Sequence, residues 1–121
     1  MKLNFNVDSA FDIGIDRLSG ILGYEIGDGI TVTAVKGEKL GVSLHGGTAT
    51  VYYRDKVQFF RGVGILVEKM KSSSEFDVTE DTFFKTVASM IDASRCGVPT
   101  VKTVKSLLDY HAVMGYNMMM L

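Results

Sequence analysis

Polar and apolar residues alternate from Lys2 to Val7, with Leu3, Phe5 and Val7 on one side and Lys2, Asn4 and Asn6 on the other. A period of two predicts a strand with one wet face. Asp8 or Ser9 then caps a helix whose apolar residues Phe11, Ile15, Leu18 and Leu22 follow helical spacing, and Gly23 sits where a left-handed stop is wanted. Ile30 to Val35 alternates again and is β-branched, and Leu40 to Leu44 and Thr48 to Tyr53 flank His45-Gly46-Gly47-Thr48. Two central glycines supply the positive φ angles of a tight hairpin, so the middle of the chain is expected to be a three-stranded meander.

From Lys56 the period lengthens: Phe59, Val63, Leu66 and Met70 line one helical face until Lys71-Ser72-Ser73-Ser74 breaks it. Glu75 to Glu80 returns to alternation. Thr86 to Asp92 is more continuously apolar and predicts a strand buried on both faces. Pro99 and Thr100 open a third helix striped by Val101, Val104, Leu107, Leu108 and Ala112, Gly115 marks its end, and Asn117 to Leu121 predicts another buried strand. The expected architecture is α+β. Residues 1–85 form a mostly antiparallel sheet backed by two helices, and residues 86–121 form a β-α-β unit that needs further elements to cover it.

Composition narrows the function classes. Of 121 residues, 46% are hydrophobic and 22% charged, an ordinary globular mix, and a net charge of -1 gives no basic footprint for nucleic acid. No apolar run is long enough for a membrane helix and no leader pattern precedes Lys2, which points to a cytoplasmic chain without a membrane partner. Cys96, His45 and His111 are too few and too scattered for a metal site, and no cofactor motif is present.

The segment Met90-Ile91-Asp92-Ala93-Ser94-Arg95-Cys96-Gly97-Val98-Pro99, with Val101-Lys102-Thr103-Val104-Lys105-Ser106-Leu107-Leu108-Asp109-Tyr110 and Met114-Gly115-Tyr116-Asn117-Met118 after it, resembles the opening of the catalytic barrel in glycoside hydrolase family 20. In that family a strand ends in Asp-x-Ser-Arg, a helix follows, and the second barrel strand begins near an Asn. Upstream, Phe59-Phe60-Arg61 and Gly64-Ile65-Leu66 are similar to a helix of the small α+β domain that precedes the barrel. Cys96-Gly97 departs from the bulky pair usual there.

The resemblance implies that this chain is the N-terminal part of an exo-β-N-acetylhexosaminidase: an accessory domain at 1–85 and the start of a (β/α)8 barrel at 86–121. Such enzymes are substrate-assisted and retaining, with the 2-acetamido oxygen as nucleophile and an Asp-Glu pair on a later barrel strand. No Asp-Glu dipeptide occurs among these residues, so the chain alone is expected to be non-catalytic. The implied ligand is the terminal N-acetylhexosamine of a glycan. The implied binding residue is Arg95, whose guanidinium fork suits two adjacent hydroxyls, with Asp92 supporting it.

Each residue also has a plainer role. Arg95 could simply pair with Asp92 or Asp109 on the surface. Glu80-Asp81 reverses the catalytic order and reads as a solvated turn. His45 reads as an exposed hairpin residue, His111 as a partly buried helix residue, Cys96 as small packing, and Met70, Met90, Met114, Met118, Met119 and Met120 as core. The competing class is a freestanding α+β carbohydrate-binding or protein-interaction module. Against it, Tyr52 and Tyr53 fall on opposite faces of a strand and cannot form one stacking platform. Uncovered apolar strands after residue 86 are expected to self-associate through Met118 to Leu121.

Overall fold

The computed structural model describes residues 1–121, folded as α+β with a mixed six-stranded sheet, three α-helices and a separate strand pair. Strand β1 (Lys2–Asn6) leads through a 3-10 turn (Ser9–Phe11) into α1 (Asp12–Leu22). The Asp8 carboxylate accepts from Ala10 N, and Gly23 ends α1 at φ 74°. After the short β2 (Glu25–Ile26) come β3 (Ile30–Lys36), β4 (Leu40–His45) and β5 (Thr48–Tyr53). Gly46 and Gly47 take φ 55° and 77°, the paired left-handed conformation that lets the β4–β5 hairpin turn in two residues. Helix α2 (Lys56–Met70) starts where Asp55 accepts from Gln58 N, and β6 (Phe76–Glu80) completes the sheet.

The sheet order is β2-β1-β3-β5-β4-β6. Two expectations fail here. The middle strands are not a meander, because β5 lies between β3 and β4: Thr31 to Lys36 pair in parallel with Thr48 to Tyr53, while β4 meets only β5 and β6. Nor is the sheet mostly antiparallel, since β1–β2, β1–β3 and β3–β5 are parallel and only β4–β5 and β4–β6 are antiparallel. The hairpin folds onto β3 as a unit, with its returning strand inward. That arrangement places Val32, Ala49, Val51, Val42 and Leu44, all 2% exposed or less, in one apolar block under the helices.

Helices α1 and α2 cover that face. Phe59 is fully buried and stacks on Phe11 at 4.1 Å, while Tyr53 meets both rings edge-on, so α2, the 3-10 turn and β5 lock together through one aromatic cluster. Gly62 lets α2 lie close on the sheet, because a Cβ there would come 2.5 Å from a Val51 methyl. The other face stays open. Asn6, Thr33, Thr50, Ser43 and Asp77 form one polar row across five strands, and Tyr52 lies on this side beside Gly41 while Tyr53 is in the core.

The last third forms β7 (Ala88–Met90), α3 (Val101–Met114) and β8 (Met118–Met120). Strands β7 and β8 are parallel neighbours joined by α3, which Thr100 caps by accepting from Thr103 N and Gly115 ends at φ 83°. Helix α3 packs on α2 at Gly64, where a Cβ would sit 2.9 Å from a Val113 methyl. The stripe differs from expectation: Val101 and Leu108 are 72% and 48% exposed, and His111 is the buried position.

Both strands were expected to be buried, and neither is. Met90, Met118 and Met120 are exposed, as is Met114, and every buried hydrophobic residue of the chain lies between Leu3 and Val67. Eleven of the seventeen exposed large hydrophobics lie after residue 82, so apolar surface is concentrated in one third of the molecule. The cause is geometric: the sheet has only two strands, and α3 meets one side of it, where His111 reaches the Ser89 hydroxyl. No helix is long and apolar enough to cross a membrane.

Replacing Phe59, which meets Phe11, Tyr53 and Phe60, empties the centre of the aromatic cluster. Phe59→Ala is expected to cost about 3–5 kcal/mol. Urea unfolding followed by far-UV circular dichroism measures it; a loss below about 1 kcal/mol would show that the core is organised elsewhere.

Candidate functional site

The loop that follows β7 begins as a continuation of the strand, with Ile91 N donating to Met120 O at 2.9 Å. Asp92 then turns the chain. Its carboxylate accepts from Ser94 N at 2.8 Å and from the Ser94 hydroxyl. These bonds, the hydroxyl first, hold its pKa below the usual aspartate range, so the turn is fastened by an ionised side chain. Arg95 follows on the outside of the turn, exposed and with no hydrogen bond or ion pair, and Gly97 at φ 85° bends the loop back toward Pro99 and α3.

Two expectations about these residues are thereby answered. Asp92 does not hold Arg95: no ion pair joins them, and its Oδ1 alone accepts both Ser94 bonds. Asp109 does not pair with Arg95 either. It takes the guanidinium of Arg17, which reaches across from α1, and that bond raises the pKa of Arg17 further. Arg95 is left as a free donor fork at the C-terminal end of β7. Cys96 beside it is exposed rather than packed.

At the opposite end of the strand pair the chain is tied more tightly. Asn117 accepts from Val87 N at 2.9 Å and donates to Lys85 O at 2.7 Å, so one amide closes the entries of β7 and β8 against each other. Arg61 of α2 donates to both oxygens of Glu80, at 2.9 and 2.7 Å, and reaches the Val113 carbonyl near the end of α3 at 3.4 Å. Sequence reasoning placed Glu80 in a solvated turn. Instead it is half-buried, and the Arg61 hydrogen bonds hold its carboxyl below the usual range while raising the guanidinium. Asp81 is exposed as expected, with its carboxylate 3.2 Å from Lys39.

Between these ties lies a cleft of about 280 Å³ bounded by the start of α2, the segment between β6 and β7, and the α3–β8 turn. Arg54, Gln58, Phe84 and Lys85 line it, none of them marked by spacing in the sequence. The histidines behave as expected. His45 is exposed on the hairpin, with Nε2 2.8 Å from Asp77. His111 is buried, stacked on Tyr116 at 4.9 Å, with Nε2 3.2 Å from the Ser89 hydroxyl and no partner at Nδ1. No three His, Cys, Asp or Glu side chains converge as metal ligands would.

No protein-family model matches the chain, and no curated protein matches it.

The Arg61–Glu80 pair gives a pH signature. Glu80 has a folded pKa below its unfolded value, so its contribution is complete above the ordinary glutamate pKa of about 4.3 and is lost as pH falls through the depressed value. With the side chains 31% and 41% exposed, solvent screens the pair and the effect is about 1 kcal/mol or less. The stability gap between wild type and Glu80→Gln should therefore be largest at neutral pH and shrink as the pH falls below the ordinary glutamate range. Urea midpoints across that range test it; a pH-independent gap would mean the pair contributes through shape alone.

Proposed function

We propose that this chain is the N-terminal part of a family 20 exo-β-N-acetylhexosaminidase, in which residues 1–85 form an accessory domain and residues 86–121 open the catalytic (β/α)8 barrel. One observation supports the reading above the others. Strands β7 and β8 are parallel neighbours joined by one helix, and the Asp92-Ala93-Ser94-Arg95 phrase stands at the C-terminal end of the first of them. Consecutive parallel strands with an intervening helix are the repeating unit of a barrel, and barrel active sites gather at the C-terminal ends of the strands.

In this reading Arg95 donates to hydroxyls of the terminal N-acetylhexosamine. Its freedom from intramolecular partners fits that role, since a guanidinium already committed to a carboxylate has fewer donors to offer. Asp92 acts at one remove: by fastening Ser94 it fixes the turn from which Arg95 projects. The exposed methionines of β7 and β8 are then barrel interior and inter-strand surface, covered by further strands. A chain lacking those strands covers the same surface by self-association through Met118 to Leu121, which sedimentation velocity reads as a dimer or larger species.

The enzyme carrying this chain should lose at least tenfold in kcat/KM on a chromogenic N-acetyl-β-glucosaminide when Arg95 becomes Ala, with an unchanged melting temperature. Arg95→Lys should resemble the alanine variant, because one ammonium cannot reproduce a two-donor fork. Residues 1–121 alone should show no hydrolysis, having no general acid on a barrel strand. Near-normal kcat/KM in both variants would remove Arg95 from the site, and hydrolysis by the 121 residues alone would overturn the assignment.

A further inference from the structure

The cleft at the other end of the strand pair has a chemistry of its own. Three cations, Arg54, Arg61 and Lys85, and three carboxylates, Asp55, Glu80 and Asp81, line it, so its net charge is zero. Arg61 is consumed by Glu80, and Asp81 by Lys39 outside the cleft. Arg54 stands 3.5 Å from Asp55, and the ammonium of Lys85 has no partner. With the other charges held in pairs, an anion would meet one unpaired ammonium there rather than a cluster of cations. An uncharged ligand with many hydroxyls meets donors and acceptors on every side.

Two further features select within the uncharged class. Gln58 accepts from Arg54 N at 2.8 Å through Oε1, which fixes the amide and leaves its NH2 free to donate. Phe84, 71% exposed, lines the same cleft. It is presented by a local turn in which the Thr82 hydroxyl accepts from Phe84 N and donates to Phe84 O, each at 3.2 Å. An exposed aromatic ring on a fastened backbone, beside planar, hydrogen-bonding groups, suits a ligand with one apolar C–H face and a polar rim. The volume, about 280 Å³, is at the small end of ligand pockets and has room for a single ring.

We propose that this cleft is a binding site for one pyranose unit of a glycan, stacked on Phe84 and hydrogen-bonded by Gln58, Arg54 and Lys85. It is separate from the Arg95 loop, because Lys85, Val87, Gly115 and Asn117 precede β7 and β8 whereas Arg95 follows β7, and parallel strands keep those ends apart. The site therefore does not rest on the hexosaminidase reading.

The experiment is an amide chemical-shift titration of the 121-residue protein with methyl β-glycosides of glucose, galactose and N-acetylglucosamine, with sodium phosphate and sodium acetate as charged probes. Saturable shifts at Gln58, Thr82, Lys85 and Asn117 are expected with at least one glycoside, and weaker or no saturation with either salt. Phe84→Ala should weaken binding at least tenfold with an unchanged melting temperature, Gln58→Ala should do the same with only the small loss of stability that follows from its bond to Arg54 N, and Arg95→Ala should leave binding intact. The proposal is overturned by absent saturation, by shifts confined to residues 92–98, by a stronger response to phosphate or acetate, or by an undiminished response in the Phe84 variant. Shifts confined to residues 92–98 would support the role of Arg95 while removing the cleft, so the two readings fail separately.

Discussion

Helix α2 has to satisfy two neighbours at once, the sheet beneath it and α3 beside it, and most of the molecule follows from how fifteen residues manage this. Phe59, Val63 and Leu66 face the sheet and are essentially inaccessible, while Gly62 removes the one side chain that would hold the helix away from Val51. Gly64 does the same for α3. Two glycines inside a helix cost roughly 1 kcal/mol each in propensity. The close approach they allow recovers that through contacts on both sides, and it explains why a chain with so few buried residues has a continuous core.

The two sides are not equally strong. Toward the sheet the contact is apolar, aromatic and fully enclosed, whereas toward α3 the close approach at Gly64 is joined by the hydrogen bonds of Arg61, with the Arg17–Asp109 pair reaching α3 from α1. Polar ties between partly exposed groups are worth far less than a buried aromatic cluster. The final third is therefore the part of the molecule expected to open first, in the sense of a local unit with its own stability. Its exposed methionines belong to the same picture, since a two-stranded sheet covered on one side cannot retain its apolar residues from water.

The same division separates two kinds of site. The Arg95 loop is shaped by bonds within four residues, so its turn exists whatever the surrounding strands do, and its guanidinium is left for a ligand. The cleft near Phe84 is built from α2, the β6–β7 segment and the α3–β8 turn, so it exists only while α3 is docked. One is a local device and the other a product of tertiary packing.

The sequence alone determined nearly every element and most of their ends. Gly23, Gly46-Gly47 and Gly115 turn where spacing placed them, α3 opens at Thr100, and the helical stripe of α2 is the buried one. These features depend on residues a few positions apart, which is the range over which backbone preference and periodicity act. Strand order was not legible. Alternation in Ile30 to Val35 states that one face is dry and the other wet, but Thr31 could pair with either strand of the following hairpin, and that β5 rather than β4 lies beside it is seen only in the assembled sheet. The burial of the last strands was misread for the same reason. Apolar content shows what a strand would bury, while covering it requires partners that a local pattern does not contain. The engagement of Asp109 by Arg17 and of Glu80 by Arg61 likewise required the tertiary structure, because those bonds join residues 92 and 19 positions apart, whereas the Asp92–Ser94 bond spans two.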